Sequence, residues 1–498
     1  MADDAHDPGD ASSSPAHDVG DRGSAPGTPV AAGRSGGRSG GQVSIGAGER
    51  IFVANVGGAG MSAVATLFAE RGHPVSGHDP APTTPFVEPL RRVGVDVHTA
   101  DDRPGLPGDV AAVVVSTATP ADAPEVVAAG ERGIPVLHRS DALAVLCTDR
   151  TTISVAGTHG KTTTSAMLAT ILVGVGRAPG WVVGAPIPGL GRSSTWGDGG
   201  PLVVEADESD GTFLALPTTV AIVTNVEPDH LEHWGGFEPL VAGFRRFLAA
   251  AEHRVVCADD PQAAALAAEI GATTYGTAAG ADYRLEDVAS GRHQLSFRLV
   301  HGDETVAKVE LAVPGLHNAR NAAAAIVAAA LVGVPVVDAA EALAGFAGVA
   351  RRFERRGEWR GVTFVDSYDH LPGEVAAVLK AARDGGWKRV VCVFQPHRYS
   401  RTESLWRGFA DAFVDADLLA VTDVYAAGEI PRPGVSGKLI VDAVLEAHPW
   451  RSVAWLPRLD DVEAWLRATL RPGDLCVTLG AGDLTSLPSR FTAPEAAP

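Results

Sequence analysis

Residues 155–164 read V-A-G-T-H-G-K-T-T-T. Gly157 and Gly160, with Thr158 and His159 between them, let backbone N–H groups close around phosphate oxygens. A helix beginning at Lys161 or Thr162 would aim its positive end at the same charge. Lys161 is placed to reach terminal phosphates, and Thr162, followed by Thr163, to offer a hydroxyl to Mg²⁺. Valine stands at 155, where the full P-loop spacing needs glycine, so this is the shortened form G-x-x-G-K-T. A chance Gly-Lys-Thr turn is the competing reading. The apolar strand before the loop and the helical stretch after it favour an ATP-type phosphate loop.

Such a loop needs a metal partner. The apolar run Leu202-Val203-Val204 ends in Glu205-Ala206-Asp207-Glu208-Ser209-Asp210. Carboxylates at a strand's C-terminal end can hold Mg²⁺ directly or through water. Four acids in six residues would repel one another without a cation nearby; a solvated acidic turn is the bland alternative. The next strand ends in Thr224-Asn225-Val226-Glu227-Pro228-Asp229-His230, where His230 could be a second metal ligand, although a lone loop histidine is usually ordinary.

A second glycine turn, Gly57-Gly58-Ala59-Gly60-Met61-Ser62-Ala63, lies between a strand and a helix. Gly58, Gly60 and Ala63 fit G-x-G-x-x-A, with Asp79 about 20 residues on. Alone this is a weak NAD signal; its general content is a diphosphate-bearing nucleotide on that helix N-terminus. The ATP-type loop downstream argues against a plain dehydrogenase. Gly315-Leu316-His317-Asn318-Ala319-Arg320-Asn321 precedes an Ala-rich helix, where amides usually act as caps. Gln395-Pro396-His397-Arg398-Tyr399-Ser400-Arg401-Thr402 follows an apolar strand. Two arginines three apart suit carboxylate or phosphate recognition, or a surface ion pair.

The elements that must position these groups alternate. Apolar strands are expected at 51–56, 74–77, 111–116 and 134–137, with a helix over about 61–70. A second unit carries strands at 152–156, 202–204 and 220–223, a β-rich interval at 281–311 and a helix from about 319 to 332. A third begins near Arg351, with strands at 362–366, 390–394, 418–421 and 475–479. Alternation of this kind predicts βαβ units around parallel sheets, an α/β fold.

The bulk numbers agree. At 498 residues the chain is long enough for three or four domains of about 100–200 residues each. A net charge of −19 argues against general affinity for nucleic acid or anionic membranes. No apolar run approaches the ~20 residues needed to span a bilayer. The start, Met1-Ala2-Asp3-Asp4, lacks a secretory signal, so the expected location is cytoplasmic. Cys147, Cys257, Cys392 and Cys476 are scattered, which excludes a C-x-x-C zinc site and predicts reduced, buried thiols. Residues 1–47 are poor in large apolar side chains and are expected to be disordered.

Taken in order, these motifs resemble the Mur ligases, most closely the alanine-adding branch. The resemblance covers residues 50 to 485. It is carried by V-G-G-A-G-M-S at 56–62, G-T-H-G-K-T-T-T at 157–164, E-A-D-E-S-D at 205–210 and T-N-V-E-P-D-H at 224–230. G-L-H-N-A-R-N at 315–321, R-R-F-E at 351–354, Q-P-H-R-Y-S-R-T at 395–402 and D-V-Y-A-A-G-E at 423–429 complete it. It implies three domains: a Rossmann-like one at 48–149 for the UDP sugar, a central P-loop ATPase-type α/β one at 150–348 for ATP, and a Rossmann-like ligase domain at 349–490. A disordered tail is expected at 491–498. The implied substrates are UDP-N-acetylmuramate, ATP and L-alanine, in peptidoglycan precursor synthesis by a monomer or homodimer. The implied reaction passes through an acyl phosphate, with two Mg²⁺ sites in which Mn²⁺ could substitute.

Residue by residue, the resemblance implies that Gly57, Gly58, Ala59, Gly60, Met61, Ser62 and Asp79 bind UDP. Gly157, Thr158, His159, Gly160, Lys161, Thr162 and Thr163 would hold the ATP phosphates, with His317, Asn318 and Asn321 by the adenine. Thr162 and Glu205 would serve one metal and His230 another. Lys161, His230, Tyr368, His370, Arg398 and Arg401 would carry the chemistry, the two arginines approaching the alanine carboxylate or the acyl phosphate. One stretch departs: where the family commonly reads D-D-Y-G-H-H-P-T-E, this chain has Asp366-Ser367-Tyr368-Asp369-His370-Leu371-Pro372-Gly373-Glu374. The second aspartate and second histidine are thus Ser367 and Leu371, a change expected to tune amino-acid choice or rate. Rival readings are a sister ligase that attaches a recycled tripeptide, a nucleotide-binding regulator without ligase activity, and an NAD oxidoreductase.

Overall fold

The computed structural model describes residues 45–80, 85–99 and 105–492. Most of the two expected disordered segments, 1–47 and 491–498, lies outside these residues. Three α/β sheets follow one another along the chain. The first orders its strands Asp96–His98, Val75–His78, Arg50–Ala54, Val110–Val115 and Val136–His138, all parallel. The strand order reverses direction beside Arg50–Ala54, and the crevice that such a reversal leaves opens at the glycine turn after that strand.

The middle sheet has ten strands, with Thr152–Ala156 between Val220–Val223 and Leu202–Glu205. Its centre is parallel and buried on both faces, which is why these strands read as unbroken apolar runs. One side ends in antiparallel hairpins over Tyr283–Ser290, Leu295–His301 and Glu304–Leu311, the interval in which the sequence alternates. The Ala-rich helix Leu316–Leu331 is buried on nearly every side, in one cluster with the helix Lys161–Gly174; alanines allow that close approach. The third sheet runs Glu354–Trp359, Val362–Ser367, Asp474–Leu479, Arg389–Phe394, Leu418–Val421, Val453–Trp455, antiparallel only at its first strand.

The cores are shared unequally. One buried cluster runs continuously from the first sheet and its helix (Val53, Phe68) to one face of the middle sheet and the helices on it (Leu202, Phe213, Phe244). The third sheet has clusters of its own, one around Phe394 and Phe413, another around Phe364 and Phe491. Phe491 falls at the start of the expected tail, yet it is buried in the short helix Ser489–Thr492 and stacks on Phe364 at 5.0 Å. All four cysteines are buried and unpaired. Among the described residues no helix is long and apolar enough to cross a membrane.

Candidate active site

The loop after Thr152–Ala156 needs its glycines. Gly157 has φ +133°, and a Cβ there would collide with Thr224; Gly160 has φ +80°, and a Cβ there would meet Asn321 Oδ1 at 2.6 Å. The segment after Val220–Val223 clamps the loop from below. Asn225 Oδ1 accepts the His159 N–H (2.8 Å), Asn225 Nδ2 donates to the His159 carbonyl (3.1 Å), and the Glu227 N–H donates to Thr158 Oγ1 (2.8 Å). The helix Lys161–Gly174 starts directly behind Gly160. Lys161 folds back over its own loop: Nζ donates to the carbonyls of Gly157 (2.6 Å) and Thr158 (3.2 Å) and meets Glu208 Oε1 at 2.8 Å.

The acidic run is organised rather than solvated. Glu205 accepts the Thr162 hydroxyl (2.8 Å) with one oxygen and the Gly184 N–H (2.6 Å) with the other. Asp210 caps Thr212 N–H and lies 3.9 Å from Arg139. The expected repulsion among the four acids is relieved by protein cations, Lys161 and Arg139. Burial drives the Glu208 carboxyl up to about 7 even beside Lys161, while the carboxylates of Glu208, Asp207 and Glu205 outweigh burial and keep Lys161 charged. His230 takes a left-handed φ of +51° and packs its Nε2 3.2 Å from Asp229, with burial holding its pKa below the ordinary value. Among the described residues no three His, Cys, Asp or Glu side chains converge into a ready metal cluster. Thr162 and Glu205 nevertheless put two hard oxygens side by side on the cleft wall, a donor set that suits Mg²⁺.

From the third sheet come Tyr368 and His370, edge to face at 5.5 Å, and His397, 5.4 Å from His370 and stacked on Tyr425. Burial, with Arg401 adding to it, pushes His370 down to about 4, and burial with His370 and the two arginines takes His397 to about 3. Both rings are therefore neutral near pH 7, and Arg398 and Arg401 supply the positive charge here. Arg401 reaches across to Asp229 at 3.3 Å, both side chains nearly buried. One cleft gathers Gly60, Lys161, Thr162, Glu205, His230, Tyr368, His370, Arg398 and Arg401. An adjoining, smaller cleft is lined by His159, Gly160, Thr163, His317, Asn318 and Asn321. These amides do not cap their helix, whose N-cap is Gly315; Asn318 donates instead to the Pro314 carbonyl (2.7 Å).

The first glycine turn borders the larger cleft through Ala59 and Gly60. Gly57 donates its N–H to Asp79 Oδ2 (2.8 Å), and the Ser62 hydroxyl donates to Ala59 O (2.9 Å). Asp79 therefore shapes the turn through its backbone. Gly58 is the helix N-cap, and Met61 and Ser62 are buried in the first turn of Ala59–Glu70.

Three stretches of the chain match family models: residues 52–151 the catalytic domain of the Mur ligase family, 202–329 the Mur ligase middle domain, and 351–482 the Mur ligase glutamate ligase domain. The chain belongs to the Mur ligase family. A UDP-N-acetylmuramate–L-alanine ligase of Kineococcus radiotolerans is 46% identical over 88% of this chain and 94% of its own. Among solved structures, the UDP-N-acetylmuramate-alanine ligase of Thermotoga maritima aligns with a TM-score of 0.72 at 28% identity, covering 89% of this chain and 98% of that one. A murein peptide ligase of Psychrobacter arcticus aligns at 0.62 with 24% identity, covering 90% and 100%, a likeness of fold alone.

Several residues of this Mur ligase escaped the sequence reading. Arg139, at the end of the strand Val136–His138, lays its guanidinium against Gly60 in the larger cleft. Asp259 pairs with Arg320 at 2.6 Å in the smaller one, and Arg352, Asp369 and Glu374 line it as well. Arg320, Arg352, Asp369 and Glu374 lay within quoted motifs without a role of their own; Arg139 and Asp259 become visible only through contacts far apart in sequence. The departing stretch also has a local logic. Ser367 accepts the Phe353 N–H (2.9 Å) and donates its hydroxyl to Asp369, whose carboxylate meets Arg352 at 3.1 Å. A carboxylate missing at 367 thus stands two residues on, and Leu371 is buried.

Proposed function

We propose that this Mur ligase joins L-alanine to the carboxylate of UDP-N-acetylmuramate at the expense of ATP, in cytoplasmic peptidoglycan precursor synthesis. The observation that carries this reading is the single cleft in which the first glycine turn, the phosphate loop and the two arginines of the third unit meet. The UDP diphosphate would lie on the N-terminus of Ala59–Glu70 near Arg139, so that the muramate carboxylate points to the phosphate loop. ATP would place its adenine in the smaller cleft by His317, Asn318 and Asn321, and its γ-phosphate above Lys161.

In this reading the carboxylate attacks the γ-phosphorus in line, giving an acyl phosphate and ADP. Lys161 leaves its own loop carbonyls and Glu208 to meet the transferring phosphoryl charge. Thr162 and Glu205 would hold Mg²⁺, and His230 a second ion, neutralising charge between the phosphates. Arg398 or Arg401 orients the alanine carboxylate while its amine attacks the acyl carbon. The tetrahedral intermediate then expels phosphate and leaves an amide. Neutral His370 and His397 border this site as uncharged hydrogen-bonding groups, too weakly basic to take the amine proton, which passes to the departing phosphate and solvent. The work is positioning and charge neutralisation, with no protein nucleophile.

The test is phosphate release from ATP with UDP-N-acetylmuramate present, adding L-alanine, glycine, L-serine or the L-Ala-D-Glu-diaminopimelate tripeptide in turn. Release that depends on L-alanine, with a matching mass gain on the UDP sugar, is the expected result. Release with the tripeptide alone would reassign the chain to recycling, and silence with all four would refute ligase activity.

A further inference from the structure

Glu374 faces two ways. Its Oε1 lies 3.4 Å from His159 Nδ1 in the phosphate loop and 3.6 Å from Arg352. Its Oε2 accepts the N–H groups of His370 (2.9 Å) and Leu371 (3.1 Å), closing the first turn of the helix Pro372–Asp384. One buried carboxylate therefore touches both the loop that would cradle phosphate and the turn that carries Tyr368 and His370. The loop backbone holds His159 beside it. Its backbone is tied on both sides to Asn225, its carbonyl also accepts the Thr224 hydroxyl, and its Nε2 stands 3.0 Å from Glu227.

We propose that the His159–Glu374 pair is a positioning latch, through which the shape of the phosphate loop sets the placement of the Tyr368–His370 turn. What the latch is for, aligning the amino-acid side with the activated carboxylate, rests on the function proposed above. Three observations support it beyond the contact itself. The pair is enclosed, with the Glu374 side chain 6% exposed, so water does not screen it. Although burial opposes a charged imidazole, Glu227 and Glu374 more than reverse this and lift His159 to about 10, so the latch is ionic near neutral pH. Both ring nitrogens sit at ion-pair distance without hydrogen-bond alignment, which leaves room for a small loop adjustment to tighten or loosen the pair. Closure of a unit over bound nucleotide is the step such a contact would gate.

The test compares H159Q, E374Q and the double variant in the full chain. Two measurements are made: steady-state kinetics, and hydrogen exchange with a non-hydrolysable ATP analogue bound. Removing either partner is expected to lower kcat/KM for L-alanine about 10- to 100-fold, the scale of a small misplacement of reacting groups. The double variant should be no worse than the weaker single one, and either single change should raise exchange in 157–161 and in 368–373 together. Losses that multiply, or exchange that rises only around the mutated side chain, would overturn the latch. If E374Q does not fold, E374D keeps the charge, shortens its reach by one methylene and carries the same comparison. A wild-type chain that turns over no amino acid would refute the proposed function, and the exchange measurement would still decide the latch.

Discussion

The middle unit meets its two neighbours in opposite ways. Toward the first unit it shares a continuous apolar core, and apart from Arg139 with Asp210 in the cleft the polar contacts described at that seam lie away from the chemistry. Glu70 accepts Arg192 (2.8 Å), the Thr195 hydroxyl (2.8 Å) and the Trp196 N–H (2.7 Å), while Arg71 and Arg150 stack over the Trp196 indole. Toward the third unit no such common cluster is found among the described residues, and the contacts beside the cleft are buried charges: His159 with Glu374, and Asp229 with Arg401. At its outer edge Arg292 donates to the Gly385 and Gly386 carbonyls and stacks over Trp387. The first seam is built to stay put. The second uses the very side chains that ligands would engage, so its energy must change when they bind.

That contrast can be broken experimentally. The largest effect belongs to Lys161→Ala, which under the proposed function removes the charge that would face the transferred phosphoryl group and is expected to cut turnover by more than about 1000-fold. Near-normal phosphate release from this variant would refute the loop assignment. Arg398→Ala comes next, raising KM for L-alanine by about 10- to 100-fold while nucleotide affinity, read by equilibrium titration, stays within about threefold. If ATP affinity collapsed instead, the arginine would belong to the nucleotide site.

Glu70→Ala sharpens the comparison from the other side. It strips the Trp196 N–H of its acceptor and should cost about 1–3 kcal/mol in denaturant unfolding, with kcat within about twofold of wild type. A loss of kcat as large as that of Arg398→Ala would erase the difference between the seams. The last test is a pH trend. His159 sits near 10 in the folded chain against about 6.5 when unfolded. Its contribution to stability is therefore complete below about pH 6.5 and drains away as pH rises toward 10. The melting-temperature gap between wild type and H159Q should shrink steadily across that window; a constant gap would show that the imidazole is neutral.

Much of the molecule could be read locally. The strand–loop–helix passages around Gly57 and Gly157 announce themselves because tight turns and phosphate contacts demand glycine at fixed places. The alternation at 293–299 falls on the strand Leu295–His301 because one of its faces is buried. Three-residue strands such as Asp96–His98, Gly180–Val182 and Val453–Trp455 escaped, being too short for any period to register. Glu374 stood inside a motif as a matching letter, but nothing near it in the sequence points to His159, 215 positions away by number (374 − 159). Arg139 escaped for the same reason: its meaning comes from Gly60 and Asp210, which only folding brings to it.

The folded-back Lys161 has a consequence for which molecules this cleft admits. With Glu208 and two loop carbonyls around its ammonium, the loop contains an internal competitor for any incoming anion. Binding is then an exchange reaction, in which the newcomer must offer more negative charge than the protein already does. A nucleoside, or a monophosphate that stops short of Lys161, cannot displace that competitor, whereas a triphosphate chain can. The loop thus acts as a threshold that favours the fully phosphorylated nucleotide before any adenine contact is made.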